Sequence, residues 1–293
     1  MSGRRPPGLP QDTRGLHVQP RWLQPNDRAE LLAYLGSLTP LWEQRYSTVR
    51  PPPRGETQRP LLRPVYWLGN WQFACLGYYE PPRRAQDCAV EAEPYPPVLR
   101  RLVAAIEGRA RKHLPGAHFV PGWTLNTCLI NFYGSRATGS GEEDAARVGD
   151  HRDFEPGPVA SLSLGEKAIF QFVQRGAGGG TPVRTMPLED GSLQVFGGPL
   201  WKDTLYHRVQ RVEDKGTPHL GPPVEGFRTR RINLTFRYVP PRDIVPWAQL
   251  GAQARADVEA YVRALGEGSG WWREVAAGGV SGPTAGGVAA PAR

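Results

Sequence analysis

The hydrophobic positions of this 293-residue chain change their period once, near residue 123. Before that point two segments repeat every three or four residues. In PNDRAELLAYLGSL (25–38), Leu31, Leu32 and Leu35 share one helical face, Asn26 or Asp27 is placed to cap the start, and Gly36 lies near the end. In YPPVLRRLVAAIEGRARKHLPG (95–116), Leu99, Leu102, Val103 and Ile106 form the apolar side and Gly116 lies beyond the helix. Between them, RPPPRGETQRPLLRP (50–64) is too rich in Pro and Arg for regular structure, and VYWLGNWQFACLGYYEPP (65–82) is aromatic and broken by glycines. After residue 123 the pattern becomes short and β-rich: TLNTCLINFYG, VASLSLG, AIFQFVQ, SLQVFGG, TLYHRVQRV and RINLTFRYV, separated by Gly or acidic turns. Strands in series without intervening helices predict a sandwich or jelly roll. YGSRATGSGEEDAARVGD (133–150) reads as a polar, flexible insertion, AQARADVEAYVRALGEG (252–268) as a last helix, and residues 1–16 and 274–293 as disordered ends.

Composition narrows the function classes. Hydrophobic residues make up 39% of the chain, enough for a packed core. No apolar run reaches 18 residues, so no membrane span is expected, and the N-terminus lacks the apolar segment of a secretory signal. Cys75, Cys88 and Cys128 are odd in number and widely spaced, which argues against a disulfide framework or a thiolate zinc site and for a reducing cytoplasm. The net charge of +8, carried by 32 Arg and 4 Lys against 28 acidic residues, suits a polyanionic partner. Arg is the better phosphate clamp by geometry.

Candidate chemistry gathers in the β half. In GDHRDFEPG (149–157), His151 and Asp153 stand two apart, so an extended segment points both to one side. His207 follows in TLYHRV. Arg231, Asn233, Thr235 and Arg237 alternate along RINLTFR and share one strand face. Taken singly, each has an ordinary structural reading. A strand histidine is more often a bonded core residue, an Arg pair is usually solvated or salt-bridged, and Asn131 and Tyr133 in INFYG could simply end a strand. Taken together, two imidazoles and a carboxylate on a jelly roll match the facial triad of a non-haem Fe(II) oxygenase, and an arginine fork suits a small dicarboxylic acid.

The blocks CLINFYG, HRD, SLSLGEKAIFQF, FGG, YHRV and RINLTFR, in that order, resemble the AlkB family of iron(II)/2-oxoglutarate dioxygenases, which repair alkylated nucleic acid. The resemblance covers roughly residues 65–240. It implies a mainly β fold with flanking helices (α+β), a double-stranded β-helix (jelly roll, cupin-like) core over 124–245. A helical and nucleotide-recognition extension would precede it over 17–123, and a C-terminal helix would follow within 246–273. It implies that His151, Asp153 and His207 ligate Fe(II) and that Arg231 pairs with the far carboxylate of 2-oxoglutarate. Asn131, Tyr133, Asn233 and Arg237 would bind that cosubstrate or hold its shell. O₂ would then drive oxidative demethylation of bases of the 1-methyladenine or 3-methylcytosine type, releasing formaldehyde, succinate and CO₂. On the substrate side it implies Trp71 as the stacking residue, Tyr78 near a phosphate, Glu155 facing the base's exocyclic amine and Arg184 facing substrate. The partner implied is alkylated DNA or RNA, single-stranded, bound by a monomer. Two features depart from the family pattern: the long insertion after Tyr133, whose EED would repel phosphate, and the extension RVEDKGTPHLGPPVEGFRTR (211–230). Rival readings are an oxygenase acting on a protein or small molecule, a non-catalytic jelly-roll binding module, and zinc-dependent hydrolysis at the same three residues.

Overall fold

Period-two alternation in the second half folds into two antiparallel sheets, whose facing surfaces hold the candidate chemistry. The computed structural model of the protein describes residues 14–45, 59–60, 63–72, 89–176, 179–210 and 219–278. The strands of these sheets are β1 (Leu16–Gln19), β2 (Val65–Leu68), β3 (Thr127–Thr138), β4 (Gly141–Asp144), β5 (Val148–His151), β6 (Val159–Gly165), β7 (Ala168–Gly176), β8 (Gly179–Leu188), β9 (Leu193–Phe196), β10 (Tyr206–Gln210) and β11 (Phe227–Arg237). The seven-stranded sheet runs β1–β9–β6–β11–β3–β2, with β4 paired to β3; the four-stranded sheet runs β8–β7–β10–β5. Mostly β with a few helices, the architecture is a jelly roll.

The large sheet is covered on its outer face by helices. Helix α1 (Pro25–Gly36), α2 (Pro97–His113), α3 (Ala252–Gly268) and α4 (Gly270–Ala276) bring Leu31, Leu35, Leu99, Leu102, Ile106, Val258 and Trp272 into one core with Ile130, Phe132, Leu162, Leu164, Ile232, Leu234 and Phe236 of the sheet. Each such side chain contributes about 1.5–3 kcal/mol on burial. A second core joins the two sheets through Phe170, Phe172, Met186, Phe196, Leu200, Trp201, Leu205 and Val209.

Four local expectations are corrected. Helix α1 begins after Gln24, with no side-chain cap, because Pro25 with its preset φ occupies the first turn; Asp27 instead pairs with Arg101 of α2. The segment 133–150 is no loose insertion. Strand β3 continues to Thr138 and turns back into β4, with Ser135 opposite Asp144. That polar hairpin is held by Arg230, which is buried and donates to Ser135 Oγ and, at 3.1 Å, to Glu166 Oε1, with Asp144 Oδ2 3.6 Å away. The acidic EED is thereby divided: Asp144 is consumed internally, and Glu142 and Glu143 remain exposed. Gly134 allows the approach, since a Cβ there would collide with the carbonyl of Arg228. Of the extension 211–230, residues 227–230 already belong to β11, and 211–218 lie outside the described residues. At the ends, β1 starts at Leu16 and α4 runs past residue 274, where composition predicts the tail to begin.

Candidate metal centre

His207 in β10 and His151 in β5 are direct cross-strand partners, so their rings share one face of the small sheet, 4.2 Å between centroids. Asp153 follows two residues later and points to the same side. His207 Nε2 lies 3.4 Å from Asp153 Oδ2, and one donor atom from each of the three residues lies within 4.8 Å of the others. The His207 ring is boxed by Phe170, stacked at 5.5 Å, and by the edges of Phe172 and Phe196. These phenylalanines fix its orientation and keep water from its flanks.

Charge at the triad is set by burial and by Arg237. Burial is the main cause that lowers the His151 pKa and pulls that of His207 down to about 3, so both imidazoles are neutral at physiological pH, as metal ligands must be. His151 Nδ1 lies 2.8 Å from the Gly149 carbonyl, which can only accept; Nδ1 therefore carries the proton and Nε2 presents its lone pair to the cluster. Burial alone would raise the Asp153 pKa. The Arg237 guanidinium, with Nε and Nη2 at 2.8 and 2.7 Å from Oδ1, together with His207 and His151 outweighs it and holds Asp153 well below the usual carboxylate range. Oδ2 is left facing the histidines. Lys202 Nζ, in the helical turn Pro199–Thr204, donates to the Asp153 backbone carbonyl at 3.2 Å. Two neutral imidazoles, one ionised carboxylate and an outer guanidinium orienting it form a donor set that fits a divalent transition metal.

Next to the triad lies the polar face of the large sheet. Arg231 and Asn233 of β11 stand opposite Tyr133 and Asn131 of β3. Arg231 is buried, lies 4.9 Å from the Tyr133 ring, and donates through Nη2 to Ser163 Oγ at 3.0 Å. Its Nε and Nη1 have no hydrogen-bond partner among the described residues. A buried guanidinium with open donors is costly unless an anion meets it. Asn233 is fully engaged in the sheet: Nδ2 donates to Ser161 Oγ and to the Leu162 carbonyl, and Oδ1 accepts from Thr235. These bonds fix its place in the shell beside Arg231. Asn131 Oδ1 accepts from Arg63 Nε at 2.8 Å.

On the substrate side the structure separates the expected residues. Glu155 is buried beside Arg237, at 3.5 Å, and its Oε1 accepts from Gln72 Nε2 at 2.7 Å; Oε2 has no partner among the described residues. Burial raises its pKa. Trp71 is not at the site. It is 1% exposed, packs edge-on against Tyr261 and Trp272, and donates through Nε1 to Glu43 at 2.7 Å. On the strand Asn70–Gln72 adjacent side chains point to opposite faces, so Gln72 reaches Glu155 and Trp71 turns into the helical core. Arg184 is exposed on the edge strand β8, on the rung that runs through Phe172 and His207 to His151. Tyr78 lies outside the described residues. Sequence reasoning did not single out Gln72, Lys202 or Arg63; none belongs to a spaced motif, and each reaches the site across a strand pairing or turn.

A family model described as the 2OG-Fe(II) oxygenase superfamily matches residues 15–237. Among curated proteins, the α-ketoglutarate-dependent dioxygenase AlkB of Salmonella typhimurium (strain LT2) is 34% identical over 112 residues, 38% of this chain and 44% of that protein. AlkB of Escherichia coli K12 is 33% identical over 121 residues, 40% and 47% of the two chains. The match thus spans less than half the length of these curated relatives. Of solved structures, OsALKBH1 aligns with 23% identity and a TM-score of 0.47, covering 78% of this chain and 99% of the other. A prolyl-4-hydroxylase from Pseudomonas putida aligns with 15% identity and a TM-score of 0.36, over 77% and 94%. With the family model spanning both sheets and the His-Asp-His cluster between them, the chain belongs to the 2OG-Fe(II) oxygenase superfamily, and its similarity within that superfamily is to the AlkB dioxygenases.

Proposed function

We propose that this protein is an Fe(II)- and 2-oxoglutarate-dependent dioxygenase that oxidatively demethylates N-alkylated bases in single-stranded DNA or RNA, acting as a monomer in the cytoplasm. The observation that carries the oxygenase part is the buried Arg231, with Nε and Nη1 open, on the same face of β11 as Arg237, the residue that bonds Asp153 of the His151–Asp153–His207 cluster. A dicarboxylic acid bridging the two satisfies both. His151, Asp153 and His207 would hold the iron, Arg237 keeps Asp153 ionised and oriented, and Arg231 would bind the far carboxylate of 2-oxoglutarate beside Tyr133 and Asn131. When bound, iron supplies the O₂ activation that couples decarboxylation of 2-oxoglutarate to hydroxylation of the alkyl carbon; the hemiaminal then releases formaldehyde. Glu155, buried with one free carboxylate oxygen, offers an acceptor for an exocyclic amine on a base presented to the pocket. Among the described helices none is long and apolar enough to cross a membrane.

A nucleic-acid substrate is supported by the net charge of +8 and by the similarity to AlkB. One observation favours a second reading, the same chemistry on a protein side chain or small molecule: the aromatic residue expected to stack on a base, Trp71, is core. The deciding experiment incubates protein, Fe(II), 2-oxoglutarate and ascorbate with a single-stranded oligonucleotide carrying 1-methyladenine or 3-methylcytosine. Mass spectrometry follows the methyl mark while succinate is quantified. Loss of the mark with matching succinate supports base demethylation. Succinate without demethylation moves the substrate to the second reading, and neither product from iron-loaded protein sinks the oxygenase itself.

A further inference from the structure

Three neighbouring strands put two arginines on either side of one tyrosine. Strand β2 pairs with β3 so that Val65 faces Asn131, and the Phe132 N–H donates to the Pro64 carbonyl. Extending that ladder by one pleat sets Arg63 level with Tyr133 and on the same face. On the other side of β3, Arg231 is the direct partner of Tyr133. The side chains follow the rung: the Arg63 and Arg231 guanidiniums lie 5.0 and 4.9 Å from the Tyr133 ring centre. Arg63 Nε is anchored by Asn131 Oδ1 at 2.8 Å, which fixes the fork in this position.

Two positive charges at this spacing repel. Burial is the main cause that lowers the Arg231 pKa, and the charge of Arg63 adds to it. Among the described residues, no carboxylate forms an ion pair with either guanidinium, whereas Arg230 and Arg237 nearby both have carboxylate partners. Tyr133 and, to a smaller extent, the charge of Glu166 offset part of the repulsion at Arg231. The remainder calls for an anion with a full charge, placed where Arg231 Nε and Nη1 stay open.

We infer that Arg63 is a second anchor for the distal carboxylate of the cosubstrate, so that the far end of the 2-oxo acid is held by a two-arginine clamp, Arg63 and Arg231, across Tyr133. This rests on the oxygenase reading above and adds to it a residue that determines specificity: Arg63 selects a 2-oxo dicarboxylate over a 2-oxo monocarboxylate. Because Arg63 enters from the segment that leads into β2, outside the strands that carry the metal triad, the cosubstrate also fastens that edge of the large sheet to its centre.

The test is calorimetric titration of the full-length protein with Mn(II) in place of iron, using 2-oxoglutarate and, separately, 2-oxobutyrate, which lacks the distal carboxylate. Wild type, R63A, R63K and R231A are compared, with thermal melting without ligand to check folding. The expected result is a loss of 2-oxoglutarate affinity in R63A of about 10- to 100-fold, the range for removing one charge-assisted hydrogen bond. Affinity for 2-oxobutyrate should be unchanged, and R63K should recover part of the loss. A purely structural role would weaken both acids together and overturns the inference. So does unchanged 2-oxoglutarate affinity in R63A accompanied by weaker oligonucleotide binding with a shallower salt dependence, which would assign Arg63 to a substrate phosphate. Should R63A fold poorly, the ratio of the two affinities in R63K decides instead: a ratio equal to that of wild type overturns the clamp. Wild-type protein that binds Mn(II) but no 2-oxoglutarate fails a different claim, the oxygenase reading itself.

Discussion

The two faces of strand β11 are built from alternate residues of one heptapeptide, yet they obey different rules. Ile232, Leu234 and Phe236 point to the helices and are fully buried in a core closed by Leu31, Leu99 and Ile106. Arg231, Asn233 and Arg237 point the other way and are buried nearly as deeply, at 2%, 6% and 8% exposure. The apolar face offers no polar side-chain atom of the strand that would need a partner. The polar face differs: Arg231 Nε and Nη1, His207 Nδ1 and Glu155 Oε2 lack partners among the described residues. Buried ionic groups add little net stability even when paired, and open ones reduce it. One face of the strand therefore holds the fold together, and the other is kept polar, at some cost in stability, for what binds there.

Substitutions on the two faces should separate cleanly. The largest effect is expected on the polar side: His207→Ala removes one of the three residues proposed to hold the metal, and succinate formation should fall to background while the unfolding midpoint stays near that of wild type. Retained turnover would falsify the ligand assignment. Next comes the apolar face. Leu234→Ala empties a fully buried site and should lower unfolding stability by about 2–5 kcal/mol in urea titration, with turnover per folded molecule preserved. Activity lost ahead of stability would show that the two faces are coupled through the strand.

A smaller and pH-dependent effect is expected at Arg237→Gln. Among the groups that keep Asp153 charged against burial, Arg237, bonded to its Oδ1, comes first, ahead of His207 and His151. A carboxylate whose folded pKa is depressed binds metal at neutral pH and loses it as pH falls through that depressed value. Without the guanidinium only His207 and His151 oppose the desolvation by burial, so protonation of Asp153 moves to higher pH. Metal affinity at pH 7 should drop about 10- to 100-fold, the usual consequence of losing an outer-shell partner, and the acid limb of Mn(II) binding should shift upward. An acid limb at the wild-type position would mean that the two histidines alone hold the Asp153 charge.

This division also explains what the sequence made legible. RINLTFR shows both faces at once because its alternation is strict, and the imidazole–carboxylate spacing in HRD needs only an extended backbone. Helix α3 appears at the predicted bounds, Ala252–Gly268, from its 3.6-residue period. The hairpin β3–β4 was hidden, since GSRATGSGEED has no hydrophobic alternation; it is held by Arg230, almost a hundred positions away in the chain. Arg63 was hidden for the same reason. Its neighbours Asn131, Tyr133 and Arg231 are supplied by strand pairing across long separations, and nothing within RPLLRP points to them.

Trp71 marks the boundary between the two rules and gives the smallest predicted effect. An aromatic residue beside a polar pocket suits a base-stacking role equally well in a strand read from sequence, because three residues cannot say which face is inward. The pairing of Asn70–Gln72 with Ala89–Glu91 decides it, sending Gln72 to Glu155 and Trp71 to Trp272 and Tyr261. Trp71→Phe keeps most of that packing and removes the indole N–H, while Glu43 Oε1 retains Trp67 Nε1 at 3.1 Å. Loss of one hydrogen bond to a charged, buried acceptor should cost about 1.5–3 kcal/mol at most, and less here because the second donor remains. Oligonucleotide affinity should be unchanged. If Trp71 stacked on a base, truncating its ring would weaken single-strand binding by a share of the roughly 1–3 kcal/mol that such stacking contributes, at unchanged stability. The two outcomes move different observables, so a melting curve and a binding isotherm on one variant tell whether this aromatic belongs to the face that makes the fold or to the face that awaits a substrate.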